Sequence, residues 1–548
     1  MKAPSRTRDS DLSLLAFLAT CASLAAFLFY LRHGEILLYG DAVAHINIAR
    51  RVFDSRTPGL LQLGTVWLPL QHLLILPFIV SMRSWQTGAG GSVPSMVGYV
   101  LGVVGIFRLV RSATSFNLPP TRDSRLAAWI AAAIFAGNPN LLYLQSTAMT
   151  ESLYLGLSIW ALVYLTEFVL QTAYPAAGEE SAASSSLIKC GVFLAAACLT
   201  RYDGWFLAAL VILAALIVVL GGGLRQRSVR PAFLKFVLIA VAAPLLWFVY
   251  NSIVYRNPLE FADGPYSARA ISKKDLNGGS HPGSDNLPVA ISYYLKSAEQ
   301  NVAEGLLQKL WLVLALGGVL LVLAIDRRLW PLLLLWAPLP FYALSVAYGG
   351  VPVYVPEWWP FSYYNVRYGI ELLPAFAAFL ALLVFFGLRA ARNATAKSAA
   401  AVVILLLAGA SYGIIWKAQS VSFREAWVNS RTRLALETQL AEALEQLPPD
   451  STILMYLGDH VGALERAGIP LKHVINEGNH RPWKRPTDPD GLWEKALADP
   501  SKYADFVVTS EGDPVSKAID SKKLFTIEVL HAYGQPAATI YLTQHTGR

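Results

Sequence analysis

The feature that most limits what this chain can fold into is a repeated one. Apolar stretches of about 20 residues, long enough to cross a bilayer as a helix, recur from residue 12 to residue 416. The windows are 12 to 31, 93 to 110, 125 to 142, 149 to 170, 187 to 202, 204 to 222, 232 to 254, 304 to 325, 329 to 348, 370 to 388 and 399 to 416, about eleven spans. Only 15% of the 548 residues are charged, well under the share usual in soluble proteins, which excludes a soluble enzyme of this size. The charges are also unevenly placed. Residues 417 to 548 hold 15 basic and 17 acidic side chains, so the first 416, with 30 basic and 20 acidic, carry +10 and the rest −2 of the net charge of +8. A basic excess in the loops of an apolar domain is a topological signal and argues against nucleic-acid binding.

The first window follows Lys2, Arg6 and Arg8, spans about 20 residues and lacks a small-x-small cleavage site, so it reads as a retained signal anchor. With the N-terminus in the cytoplasm, the inner connections hold Arg108, Arg111, Arg122 and Arg125, then Arg225, Arg227 and Arg230, then Arg327 and Arg328, then Arg389, Arg392 and Lys397. Glu179 and Glu180 break this pattern. The stretch from Leu187 to Leu220 carries Arg201-Tyr202-Asp203-Gly204 at its middle. Charges at mid-bilayer are costly, so it folds as a hairpin with these residues at the outer surface. Trp67 to Met82, with its Pro69 and His72, reads as an interface helix. An odd number of spans places residues 417 to 548 outside as a small α/β domain, with strand-like runs at 452 to 457, 506 to 509, 525 to 530 and 539 to 542. Within it Asp459 reads as a helix cap. Cys21, Cys190 and Cys198 lie in apolar stretches, with no disulfide or zinc spacing.

This topology gathers the unusual polar residues on one side. The outer face receives Asp41 and His45, Glu151, Arg201-Tyr202-Asp203, a long loop from 255 to 301 with Arg256, and Tyr364, Arg367, Tyr368 and Glu371. Residues 42 to 54 form an amphipathic helix read as lying on the membrane, with Asp41 placed to cap it. Arg201 could pair with Asp203, and Arg367 with Glu371 one helical turn on. Glu357-Trp358-Trp359 reads as an interfacial aromatic belt, and the sequon at Asn393 falls on the inner side.

Taken in order, Tyr-Gly-Asp-Ala-Val-Ala-His at 39 to 45, Val-Trp-Leu-Pro-Leu-Gln-His at 66 to 72, Asn138-Pro139, Met149-Thr150-Glu151, Leu-Thr-Arg-Tyr-Asp-Gly at 199 to 204 and Val-Arg-Tyr-Gly-Ile-Glu-Leu-Leu-Pro at 366 to 374 resemble the GT-C superfamily of membrane glycosyltransferases. The resemblance is nearest to bacterial relatives of dolichyl-phosphate-mannose protein mannosyltransferases and to aminoarabinose lipid A transferases, and covers roughly residues 10 to 416. It implies an all-α polytopic transmembrane domain over 1 to 416, with outer loops at 33 to 92 and 255 to 301; the outer α/β domain at 417 to 548 lies beyond the resemblance. It implies transfer of a sugar, with inversion, from a polyprenyl-phosphate carrier to a protein, lipid or glycan acceptor outside the cytoplasm of a cell with an inner membrane. Asp41 matches the first-loop acid that serves as general base, and Glu151 faces the sugar. Arg367, Arg201 and Arg256 would meet the donor phosphate, with His45, Tyr202, Asp203, Tyr364 and Tyr368 around the sugar. No cofactor is firmly implied. Some members pair two adjacent acids with a divalent metal, but Ala42 follows Asp41 here, although Asp41 and His45 could share an ion. The reading requires Asp41 and Arg367 to share one cavity. A transporter or lipid-linked sugar flippase would instead need ionisable groups at mid-membrane and repeated halves with broken helices. A non-catalytic scaffold would leave the large first loop without a role.

Overall fold

The computed structural model describes residues 10–116, 121–174, 180–222, 229–275, 279–390, 394–479, 488 and 490–543. Lys2, Arg6, Arg8, Glu179, Arg225, Arg227, Arg392 and Asn393 of the sequence analysis lie outside them. Ten helices among the described residues are long and apolar enough to cross a membrane, and the chain is a multi-pass membrane protein with a small C-terminal sheet. Ten of the eleven expected windows coincide with these helices. The eleventh, 125 to 142, contains the helix Arg122–Ala136, which stops at Gly137 because Asn138 caps a new helix, Pro139–Leu144. The Asn138 side chain accepts from the Leu141 N–H at 3.0 Å and Pro139 takes the first helical position, where it has no N–H to waste.

The chain divides into two compact units. The first comprises Met1–Tyr30, Pro94–Leu246 and Ala268–Glu425; the second comprises Leu31–Val93, Trp247–Ser267 and Ala426–Arg548. At the centre of the first unit stand Glu151–Ala173 and Val366–Gly387, 89% and 94% buried over their apolar windows, whereas Ser10–Arg32 is only 22% buried. The side chains that such a peripheral helix leaves uncovered would face lipid tails in a bilayer. Small residues set the closest approach. A Cβ on Gly156 would stand 2.5 Å from the Gly98 carbonyl oxygen, so Ala89–Ser115 and Glu151–Ala173 touch backbone to backbone, as tightly packed membrane helices do.

In the second unit, residues from 452 onward form a five-stranded mixed sheet of order β2-β1-β3-β5-β4: β1 Ile453–Met455, β2 Val474–Ile475, β3 Phe506–Ser510, β4 Phe525–Leu530 and β5 Ala538–Leu542. β1 runs parallel to β2 and β3, and β5 antiparallel to β3 and β4. Leu454, Ile475, Trp493, Val507 and Val515 fill its core. All four strand-like runs fall on observed strands. The two-residue β2 was too short to carry a pattern. The side chain of Asp459, expected as a helix cap, lies outside the described residues; the helix Leu457–Ala467 kinks beside it at His460.

The first outer loop also departs from expectation. Its helix, Gly40–Arg51, is buried nearly all round and has no free apolar face to lay on a membrane. The cap residue is Tyr39, with Asp41 inside the first turn, where a carboxylate complements the helix dipole. The polar face is covered too. Arg50 forks onto Asp54 at 2.8 Å and the Ile79 carbonyl at 2.7 Å, under the Trp85 ring. Asn47 donates to Glu465 at 2.6 Å and accepts from the Trp85 indole at 3.1 Å. Trp67 to Met82 is not one interface helix: Pro69–Ile75 gives way at Pro77 to a turn of 3-10 helix.

Candidate functional site

Three polar segments converge inside the first unit. Glu151 is the first residue of its central helix, so its carboxylate sits against the positive helix end. Arg201 and Asp203 occupy the tight turn between the helices Glu180–Cys198 and Asp203–Gly222. A Cβ on Gly204 would stand 2.7 Å from the Ala197 carbonyl oxygen, and only glycine lets that turn close. Arg367, Tyr368 and Glu371 ride on a 3-10 segment, Val366–Leu372. Gly369 presses this segment against the backbone of Leu287–Val302, since a Cβ there would fall 2.4 Å from the Ala298 nitrogen.

The result is a buried ionic network. Arg201 reaches Glu151 at 3.3 Å, Asp203 at 3.2 Å and Glu371 at 3.2 Å, and donates to Thr150 at 2.9 Å and the Tyr342 hydroxyl at 2.7 Å. The Tyr342 hydroxyl lies 3.0 Å from Asp203 and 2.7 Å from Glu371. Arg367 holds Glu151 at 3.1 Å and Glu425 at 3.0 Å, and its backbone N–H donates to the other Glu425 oxygen. Both guanidinium groups lie over the Tyr368 ring, Arg201 at 5.0 Å and Arg367 at 4.9 Å from its centroid, and that ring stacks on Tyr342. Four carboxylates therefore face two guanidinium groups. Glu151 and Glu371 each keep one buried oxygen without a hydrogen-bond partner among the described residues. Such an arrangement fixes two cations and a flat aromatic surface in one place.

Glu151, Arg201, Asp203, Arg367 and Tyr368 come together. The Arg201–Asp203 pair exists; among the described residues Arg367 shows no pair with Glu371, and its partners there include Glu151 and Glu425. The Tyr202 ring meets that of Trp205 in a T-shaped contact at 5.3 Å, and Tyr364 bridges to Tyr354. Glu357 binds Lys296 and Trp358 packs on Tyr293, and Trp359 is the exposed aromatic of the expected belt. Tyr342 and Glu425 were missed. A lone hydroxyl inside an apolar window gives no signal, and Glu425 lies beyond the last window.

In the second unit, Asp41 and His45 share one face of Gly40–Arg51. Arg433 donates to the carbonyls of Leu37 at 3.2 Å and Leu38 at 2.9 Å, holding the chain just before that helix. His45 is almost fully buried, its Nδ1 2.8 Å from His72 Nε2, and its ring lies against Trp67. Burial, with His45 and Arg51 nearby, holds the His72 imidazole well below the usual histidine range. The bond to His72 gives His45 a fixed partner inside the protein. Arg256 is exposed, at a positive φ of 59°, and also belongs to this unit.

No family model and no curated protein sequence matches the chain. Solved structures do. The crystal structure of ArnT from Cupriavidus metallidurans bound to undecaprenyl phosphate matches with a TM-score of 0.56 at 13% identity, over 97% of this chain and 99% of that one. The apo form of the same protein matches with a TM-score of 0.51 at 14% identity, over 97% and 98%. The chain thus shares the fold of these ArnT structures over nearly its whole length, the kind of fold that the sequence resemblance implied.

Proposed function

We propose that this protein is an inverting membrane glycosyltransferase that moves one sugar from a polyprenyl-phosphate carrier to an acceptor outside the cytoplasm. The observation that supports it most is the buried pair Arg201 and Arg367 across Glu151 and Tyr368, on a fold whose solved example holds undecaprenyl phosphate. In the reaction, the acceptor hydroxyl oxygen attacks the anomeric carbon while Asp41 takes its proton. The bond from that carbon to the phosphate oxygen breaks, and its electron pair leaves with the polyprenyl phosphate. Arg367 and Arg201, with Arg256, stabilise the charge gathering on that phosphate. Glu151, Asp203, His45, Tyr202, Tyr364 and Tyr368 surround the sugar. One displacement inverts the configuration. No step calls for a metal. In this reading the N-terminus is cytoplasmic, the protein sits in the inner membrane, and residues 417 to 548 lie outside.

The test is purified protein incubated with radiolabelled polyprenyl-phosphate sugar and an acceptor pool. Label should pass to the acceptor, and Asp41→Asn, folded and inserted, should lose transfer by about a hundredfold or more. Normal transfer by that variant removes the base assignment, and vesicle uptake without transfer replaces the enzyme by a carrier.

A further inference from the structure

The second unit contains a cavity of about 310 Å³ that the chemistry above does not use. That size is at the lower end of small-molecule sites, fit for one ring and not for an oligomer. Its walls come from the C-terminal end of Gly40–Arg51 and the turn after it, from the end of Val229–Tyr255, and from the segment following β2.

The wall is a set of flat polar groups over an apolar floor. Arg51 contributes a guanidinium whose Nε is buried without a hydrogen-bond partner, and among the described residues it meets no carboxylate. Gln62 is held rigid: its amide nitrogen donates to the Thr57 carbonyl and hydroxyl, both at 2.8 Å, and to the Gly478 carbonyl at 3.2 Å, which fixes the direction of its oxygen. Asn479 is held likewise, donating to Thr57 Oγ1 at 3.0 Å and accepting from the Asn476 N–H at 2.9 Å. Asp490 stands at the exposed rim, and Leu61 and Tyr255 supply apolar surface. Gly478 keeps the space beside Arg51 open, since a Cβ there would lie 2.9 Å from Gln62 Oε1 and 3.7 Å from Arg51 Nη1.

Planar amides and a carboxylate, each able to meet neighbouring hydroxyls, set above apolar contacts, match a polyhydroxylated ring with its apolar C–H face. The unpaired guanidinium asks for an anion. Among the described residues Arg51 is the one cation in this lining, and a single guanidinium suits a monoanion: a carboxylate, which it grips with two parallel hydrogen bonds, over a phosphate monoester near two negative charges. Asp41 lies ten residues back along the same helix, about 15 Å away at 1.5 Å per residue. We infer that this cavity binds a carboxylated pyranose, a hexuronate unit of the acceptor glycan, gripped by Arg51 about 15 Å from the reacting hydroxyl. The inference rests on the transferase reading for its purpose, though the binding can be measured without it.

The experiment uses the full chain in lipid nanodiscs, titrated with glucuronate, glucose and glucose 6-phosphate by calorimetry. Glucuronate should bind saturably, and glucose about tenfold more weakly or worse. Arg51→Gln should weaken glucuronate by about tenfold or more, the loss of one bidentate charged contact. Leu61→Trp, a change at a half-exposed position that fills the cavity, should abolish binding, and Asp41→Asn should keep it within about twofold. The inference is overturned if wild-type protein does not bind glucuronate, if Arg51→Gln and Leu61→Trp bind it as well as wild type, or if glucose 6-phosphate binds tighter. The transfer assay is run beside it. Glucuronate binding with no transfer removes the transferase reading and leaves the saccharide site; transfer with no glucuronate binding removes this inference alone.

Discussion

Four buried carboxylates against two guanidinium groups make opposite substitutions unequal. Arg201→Gln deletes the cation that touches Glu151, Asp203 and Glu371 within 3.3 Å, and leaves four carboxylates facing Arg367 alone. Removing one partner of a buried pair typically costs about 3–5 kcal/mol, because an uncompensated charge remains in a medium that solvates it poorly. Arg201 serves three partners, so the upper end is expected. Glu371→Gln removes one of the four like charges, keeps an acceptor for the Tyr342 hydroxyl at 2.7 Å, and should stay within about 1 kcal/mol of wild type. Arg201→Lys keeps the charge and loses the fork, and should fall between them at about 1–3 kcal/mol. The assay is reversible unfolding in mixed micelles followed by tryptophan fluorescence, with the midpoint converted through a shared slope. Equal stability of Arg201→Gln and Glu371→Gln would refute the reasoning, because it would mean the guanidinium does no more than any other polar contact.

Two other outcomes can be checked with the same material. Burial, opposed by the Asn47 hydrogen bond and reinforced by Glu437, pushes the Glu465 carboxyl up to about 8, while in the unfolded chain it titrates near 4.3. Between those values the folded state holds a proton that the unfolded state has lost. The stability from this group is therefore full below about pH 4.3 and falls as pH rises through about 8. Glu465→Gln should flatten that fall and be more stable than wild type by a few kcal/mol at pH 8, so parallel melting curves from pH 5 to 9 would contradict it. Gly156→Val drives a side chain into the Gly98 carbonyl, 2.5 Å from its first carbon, and should cost about 1–3 kcal/mol with loss of monodispersity, whereas Gly387→Ala, which meets nothing within 4 Å, should be neutral.

What was legible in the sequence follows from the range over which each force acts. A membrane span must satisfy its own backbone and stay apolar for about 20 residues, so the windows announced themselves locally. The cost of a charge at mid-bilayer likewise placed Glu151, Arg201-Asp203 and Arg367 at helix ends without any partner being known. Partners were another matter. Glu151 lies 216 positions from Arg367, Glu425 lies 58 from it, and Asn47 lies 418 from Glu465. Of the two local guesses, Arg201 with Asp203 holds, and Arg367 with Glu371 fails for a geometric reason. It assumed an α-helix, where residues four apart are neighbours. Val366–Leu372 is 3-10, with three residues per turn, so the fourth residue on lies about 120° round the axis. That turn frees Glu371 to meet Arg201 and Tyr342.

The same rotation bears on how a donor phosphate would be received. Arg201 and Arg367 are not idle cations awaiting an anion: their donors already meet Glu151, Asp203, Glu371, Glu425 and Tyr342. Under the proposed reaction, phosphate binding is an exchange in which guanidinium hydrogen bonds pass from carboxylate to phosphate oxygens. The strength of that contact is the difference between two anions in the same place. The carboxylates weaken the grip on the ground state, but they hold both guanidinium groups in one geometry against the Tyr368 ring. Charge growing on the departing phosphate oxygen then meets donors that need no reorganisation, and this is where fixed dipoles and cations lower a barrier most.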